Sequence, residues 1–176
     1  MNNLDSVHKF GELAAAIAVV LSLLFVGYEV QQNGVAQKQL ATRSLVRDWS
    51  DAVATLEDPD LACLSHRLSA DAASLTIREA NQIGTAFWRI YKAHEELHYQ
   101  YQQGMIDELV WNGFRRTAAE TLSTQGMRDW WQSYRSLYSE RFSDYIDELI
   151  TETPLVTDAP WLKMRCDDVV GEEYWN

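Results

Sequence analysis

Residues 13–28, LAAAIAVVLSLLFVGY, carry no charge and one hydroxyl, Ser22, near the start of an otherwise acidic chain. Such a stretch costs little to bury in lipid and much to leave in water, so it constrains the fold before any other feature does. At 1.5 Å per residue it reaches roughly 24 Å, short of a hydrocarbon core of about 30 Å. Extended to residues 10–30 it reaches about 31 Å. Phe10 and Tyr28 then sit at interfacial depth, and Glu12 and Glu29 lie at the two head-group levels. The run predicts an uncleaved N-terminal membrane anchor, residues 1–30, contacting the lipid bilayer through residues 10–30.

A cleaved leader fits less well. The residues before the run hold only His8 and Lys9 beside Asp5 and Glu12, its alanines precede its leucines, and GYEVQQN offers no pair of small residues for cleavage. A buried core helix is the remaining alternative. Lys38, Arg43 and Arg47 follow the run, against Lys9 and the amino terminus before it. This bias favours a bacterial inner-membrane, single-pass protein with a cytoplasmic C-terminal domain.

On a helical wheel the anchor has two unlike sides. Gly11, Ala15, Ala18 and Ser22, spaced four, three and four apart, form one stripe that Glu29 continues, while Ile17, Val20, Leu21 and Leu24 fall opposite. Small residues let two helices approach closely, so the stripe predicts association in the membrane and a homo-oligomer.

About 145 residues remain for a body, enough for one domain with a sizeable core. Eight Gly and three Pro are few for a turn-rich β protein. Helical spacing recurs instead. Val46, Trp49, Val53 and Leu56 continue the first helix past Asn33-Gly34, where a bend or break is expected, up to the stop at residues 57–60. A short helix over residues 61–68 follows. Thr76 and Glu79 form a capping box that opens a helix ending near Gln103, before Gly104. Further helices are expected over residues 107–122, around Met127, Trp130, Trp131, Tyr134 and Leu137, and through Phe142, Tyr145, Ile146 and Leu149. No segment alternates with period two long enough to be a strand. The fold class is therefore all-α: one transmembrane helix, a helical domain over residues 31–153 built as an antiparallel bundle, and an acidic, aromatic tail over residues 154–176 bearing Trp161, Tyr174 and Trp175.

A formal charge of −11 argues against a nucleic-acid partner, whose phosphates need a basic surface. The two cysteines, Cys63 and Cys166, make no disulfide framework and have no Cys or His at metal spacing, so they read as unpaired small hydrophobes in a reducing compartment.

One motif has catalytic form. His94-Glu95-Glu96-Leu97-His98 matches H-E-x-x-H, in which two histidines one turn apart bind zinc and the intervening glutamate, Glu95, activates water. Glu120 would be the third ligand. Against this stand the charge at Glu96, the lack of a sheet edge to hold a peptide, and the position of both histidines on the apolar stripe of Phe87, Ile90, Tyr91 and Leu97. Structural histidines are the simpler reading. Arg115, Arg116 and Arg128 read as surface charge or ion pairs, and Asp144, Asp147 and Glu148 as a solvated acidic face. No phosphate-binding glycine loop or nucleophile elbow is present.

The anchor GELAAAIAVVLSLLFVGYEVQQN, the stretch His98-Tyr99-Gln100-Tyr101-Gln102-Gln103-Gly104, the segment Leu109-Val110-Trp111-Asn112-Gly113-Phe114, and then Gly126 before Trp130-Trp131 occur here in order. This succession resembles a widespread group of bacterial single-pass membrane proteins with no established activity. The likeness covers about residues 10–150; it implies an anchor and a helical body and supplies no mechanism. The expected function is a membrane-anchored helical protein acting through protein contacts or homo-oligomeric assembly, without a catalytic role or cofactor. A zinc-dependent hydrolase is the first alternative, and an oligomeric effector or channel lined by the small stripe and Glu29 is the second.

Overall fold

In the computed structural model residues 2–163 and Cys166 are described, with the side-chain surroundings of residues 2–16, 35, 41, 160 and 161 left aside. The described chain is all-α, with no strand among those residues. Six helices follow in order: α1 (Asn2–Ala54), α2 (Pro59–Asp71), α3 (Ile77–Gln102), α4 (Glu108–Thr121), α5 (Gln125–Tyr134) and α6 (Glu140–Glu152). Short 3-10 turns at Thr55–Glu57, Ala72–Ser74, Arg135–Leu137 and Pro160–Lys163 punctuate them.

Helix α1 passes through Asn33-Gly34 unbroken, although a bend or break was expected there. A Cβ at Gly34 would meet nothing within 4 Å, so no neighbouring group forces a kink. Between Ile17 and Val30 the large apolar side chains of α1 are 51–67% exposed. Among the described residues no helix is long and apolar enough to cross a membrane; the apolar run begins four residues before Ile17, outside the side chains described.

The chain divides into two units, Met1–Ala41 and Thr42–Asn176. Thr42 is where α1 joins the second unit's contacts. Its Oγ1 donates to the Met105 carbonyl at 3.3 Å, and Leu45 and Trp49 pack on a small cluster of Leu97, Ile106 and Trp111.

Local chemistry explains three helix ends in the second unit. Helix α2 starts two residues earlier than expected because Asp58 caps it, accepting from the Asp60 and Leu61 N–H groups at 3.0 and 3.1 Å, with Pro59 in the first turn. The capping box on α3 forms as the sequence predicts: Thr76 Oγ1 accepts from Glu79 N–H, and Glu79 Oε2 accepts from Thr76 N–H at 2.7 Å. Arg67 adds an ion pair to Glu79 at 2.7 Å. That hydrogen bond, followed by those from Thr76, holds the Glu79 carboxyl down at about 2. Gly104 ends α3 at φ +67°, a left-handed conformation that suits glycine.

The main core gathers Leu64 and Leu68 of α2, Ile83, Phe87, Ile90 and Tyr91 of α3, Trp130 and Trp131 of α5, and Phe142, Ile146 and Leu149 of α6. Helices α2 and α5 meet at Gly126, where an added Cβ would lie 1.7 Å from the Leu68 carbonyl oxygen. The glycine before the tandem tryptophans therefore has a packing reason. It lets two backbones touch.

The expectation for the cysteines is corrected. Cys63 and Cys166 are joined in a disulfide, with Cα atoms 5.1 Å apart and a separation of 103 positions in sequence. Spacing so long carries no proximity signal. The chain after α6 returns along the body instead: Val156 N–H donates to the Ser123 carbonyl at 2.7 Å, and the turn Pro160–Lys163 packs against α2, which carries Cys63.

Two surface readings also change. Arg128 is a clasp, its Nε donating to the Leu122 carbonyl at 2.9 Å and its Nη2 to that of Thr153 at 2.6 Å. Asp147 does not stand in a freely solvated face. It accepts from the buried Trp131 indole at 2.8 Å and pairs with Arg135 at 2.7 Å. Arg115 pairs with Glu152, as an ion-pair reading expects.

Candidate functional site

The face of α3 that carries Phe87, Ile90, Tyr91, His94, Leu97 and His98 is turned inward, because those positions recur at three and four residues along one side of the helix. His94 and His98 therefore share a face, as the motif predicts. What that face meets is aromatic. Helix α4 supplies Trp111, and α6 supplies Phe142 and Tyr145.

Both imidazoles are buried. The His98 ring stacks on Tyr145 with centroids 4.6 Å apart and planes 14° apart, and the His94 ring lies parallel to the same phenol at 6.0 Å. Trp111 stands 5.4 Å from each imidazole, and Phe142 stands 5.7 and 5.8 Å away. His94 Nε2 hydrogen-bonds Tyr145 Oη at 3.3 Å, and His98 Nε2 lies 3.4 Å from Gln102 Nε2. Burial, with His98 nearby, pushes the His94 pKa down to about 3. Burial also lowers that of His98, helped by Arg141. Both rings are held neutral because the aromatic walls cannot solvate an imidazolium. For the same reason the Tyr145 hydroxyl is pushed well above its ordinary value.

The remaining members of the zinc hypothesis are not brought to these rings. Glu95 faces the start of α6, where it accepts from the Ser139 N–H at 2.6 Å and pairs with Lys92 at 2.7 Å. Burial opposes its ionisation, but the hydrogen bonds from Lys92 and Ser139 outweigh it and leave the carboxyl below its usual value. Glu120 is exposed on α4. Among the described residues no three His, Cys, Asp or Glu side chains converge as a metal site requires. The arrangement is a packed aromatic cluster around two neutral imidazoles.

In the small-residue stripe expected from the sequence, Ala18, Ser22 and Glu29 lie exposed on α1, and Gly11 and Ala15 lie outside the described side chains.

Sequence reasoning missed one feature beside the histidines. A cavity of about 110 Å³ lies among Trp49 and Val53 of α1, Leu56 of the turn that follows it, Phe87, Ile90, Tyr91 and His94 of α3, and Thr117, Ala118 and Thr121 of α4. Tyr91, which contributes to the lining, has its Oη buried without a hydrogen-bond partner. Each lining residue reads in sequence as ordinary helix-face material, so no sequence signal marks the place. No family model, curated protein or solved structure matches the chain.

Proposed function

We propose that the chain is a single-pass, membrane-anchored protein that works by assembly, its helical body acting as a protein-contact module. The observation that carries this reading is the exposed apolar collar of α1. From Ile17 to Val30 its large apolar side chains point outward around most of the helix, each more than half exposed, on a helix without a break. A helix apolar all round finds its stable surroundings in lipid or inside a protein, and a collar of this size left in water would drive aggregation. With residues 10–16 added it reaches about 31 Å, the thickness of a hydrocarbon core.

Ala18 and Ser22 give the collar one flat side on which a second copy of the helix can lie. The buried histidines support a body that binds rather than catalyses: their ring faces are occupied by aromatic neighbours, and Glu95 is committed elsewhere.

Two features bear on orientation and point opposite ways. The basic residues after the anchor favour a cytoplasmic body, by a margin of one or two charges that begins only at Lys38. The Cys63–Cys166 bond favours an oxidising compartment, since glutathione keeps cytoplasmic thiols reduced. The covalent bond is the stronger cue, and we place the body on the extracytoplasmic face.

Crosslinking of the full chain in detergent tests assembly. Oligomers that vanish on Ala18→Leu support the stripe, and an unchanged oligomer removes it. A phosphatase reporter at the C-terminus tests orientation, with activity expected in intact cells; a reporter active only when cytoplasmic reverses the placement.

A further inference from the structure

The chain after α6 lies on the body as a strap. From Pro154 to Lys163 it stays at the surface: Pro154, Leu155, Thr157, Asp158 and Lys163 are exposed, and Val156, Ala159 and Leu162 are only part-buried. Among the described residues neither hydrophobic cluster draws on anything after Ile150. The strap's non-covalent holds among those residues are few. Arg128 grips its start through the Thr153 carbonyl, Val156 N–H donates to the Ser123 carbonyl, and the turn Pro160–Lys163 packs against α2. Lys163 pairs with Asp158, which joins the strap only to itself. Contacts this sparse offset little of the conformational entropy lost when a segment of this length is ordered.

The disulfide supplies the rest. Cys63 stands on α2 and Cys166 lies three positions beyond the turn, so the bond keeps the turn beside α2 at a high effective concentration. Both cysteines are part-buried and neither belongs to a hydrophobic cluster, so the bond sits at the edge of the body, within reach of a reductant. Helix α2 is held without it. Leu64 and Leu68 are in the main core, the Arg67–Glu79 pair joins α2 to α3, and Gly126 brings α5 against Leu68.

We propose that the Cys63–Cys166 bond is a redox latch: a dithiol reductant opens it, the strap leaves α2, and the bundle stays folded. A thiolate of the dithiol attacks one sulfur and forms a mixed disulfide, and the other cysteine departs as a thiolate that takes up a proton. The second thiol of the dithiol then closes on the mixed disulfide and frees the remaining cysteine. Two electrons and two protons pass from the dithiol, now a disulfide, to Cys63 and Cys166. The surface of α2 under Pro160–Lys163 is thereby uncovered.

Hydrogen exchange of the full chain in lipid nanodiscs tests the latch, read by mass spectrometry with and without dithiothreitol, with thiol titration to count the cysteines freed. In the oxidised chain the segment holding Val156 and Leu162 is expected to be protected. Reduction should speed its exchange by about tenfold or more, as a contact loses its tether, while α3 and α5 keep their protection. Cys166→Ser should show the reduced pattern without reductant, and its protected α3 and α5 would show that it folds. The proposal is overturned if dithiothreitol frees no thiols from the folded chain or if the strap stays protected once both thiols are free. It is equally overturned if α3 and α5 lose protection with the strap in either chain, or if Cys166→Ser keeps the oxidised pattern.

Discussion

Gly126→Ala adds one carbon to a helix, and by intrinsic propensity alone it should stabilise α5 by up to about 1 kcal/mol. The tertiary structure predicts the opposite. The new Cβ would stand 1.7 Å from the Leu68 carbonyl oxygen and 2.8 Å from its carbon, where real contacts stay beyond about 3.0 Å. Both obstructing atoms are backbone, so no rotamer relieves the overlap, and α5 must move off α2 by more than an ångström. That displacement loosens Met127, Trp130 and Trp131 from the core they share with Leu64 and Leu68. Overpacking of this kind typically costs 1–3 kcal/mol and sometimes more; against the propensity gain, a net loss of about 2–3 kcal/mol is expected. For a chain of this size the melting temperature then falls by roughly 5–10 °C. Gly113→Ala is the matched control, since its Cβ meets nothing within 4 Å, and it should gain about 0.5–1 kcal/mol. Thermal unfolding followed by near-ultraviolet circular dichroism reads both variants through the tryptophans. A Gly126→Ala melting temperature equal to or above that of the natural chain would refute the close approach of α2 and α5.

Acid should weaken the fold through its histidines. The folded His94 stays neutral down to about pH 3, whereas the unfolded chain takes up that proton near pH 6.5. Stability is thus fully present above pH 6.5 and falls as pH drops from there towards 3, by about 1.4 kcal/mol per unit for this one group. Urea midpoints at pH 7, 6 and 5 should show the decline, His94→Phe should flatten it, and an identical slope in both chains removes His94 as the cause. Asp147→Ala strips the acceptor from the buried Trp131 indole and should cost about 1–3 kcal/mol, while Asp147→Asn, which keeps an acceptor oxygen, should cost less. Equal midpoints for the two variants would count against the hydrogen bond. Cys63→Ser opens a closure of about a hundred residues and should cost roughly 2–4 kcal/mol. Two titratable thiols in protein prepared without reductant would show that the bond does not form.

The sequence determined what depends on near neighbours along the chain. Thr76 and Glu79 lie three residues apart, so the capping box on α3 was legible, as was the stop at Gly104. Periodicity put His94 and His98 on one face, because it is a one-dimensional signal. Tertiary structure decided what those faces meet. The H-E-x-x-H spacing is the same whether the face looks onto a metal or onto Trp111, Phe142 and Tyr145, and those rings arrive from α4 and α6. Gly126 was visible as a residue, but its reason is a carbonyl on α2, more than fifty positions away. The disulfide and the cavity were hidden for the same cause: each joins segments whose separation along the chain says nothing of their separation in space.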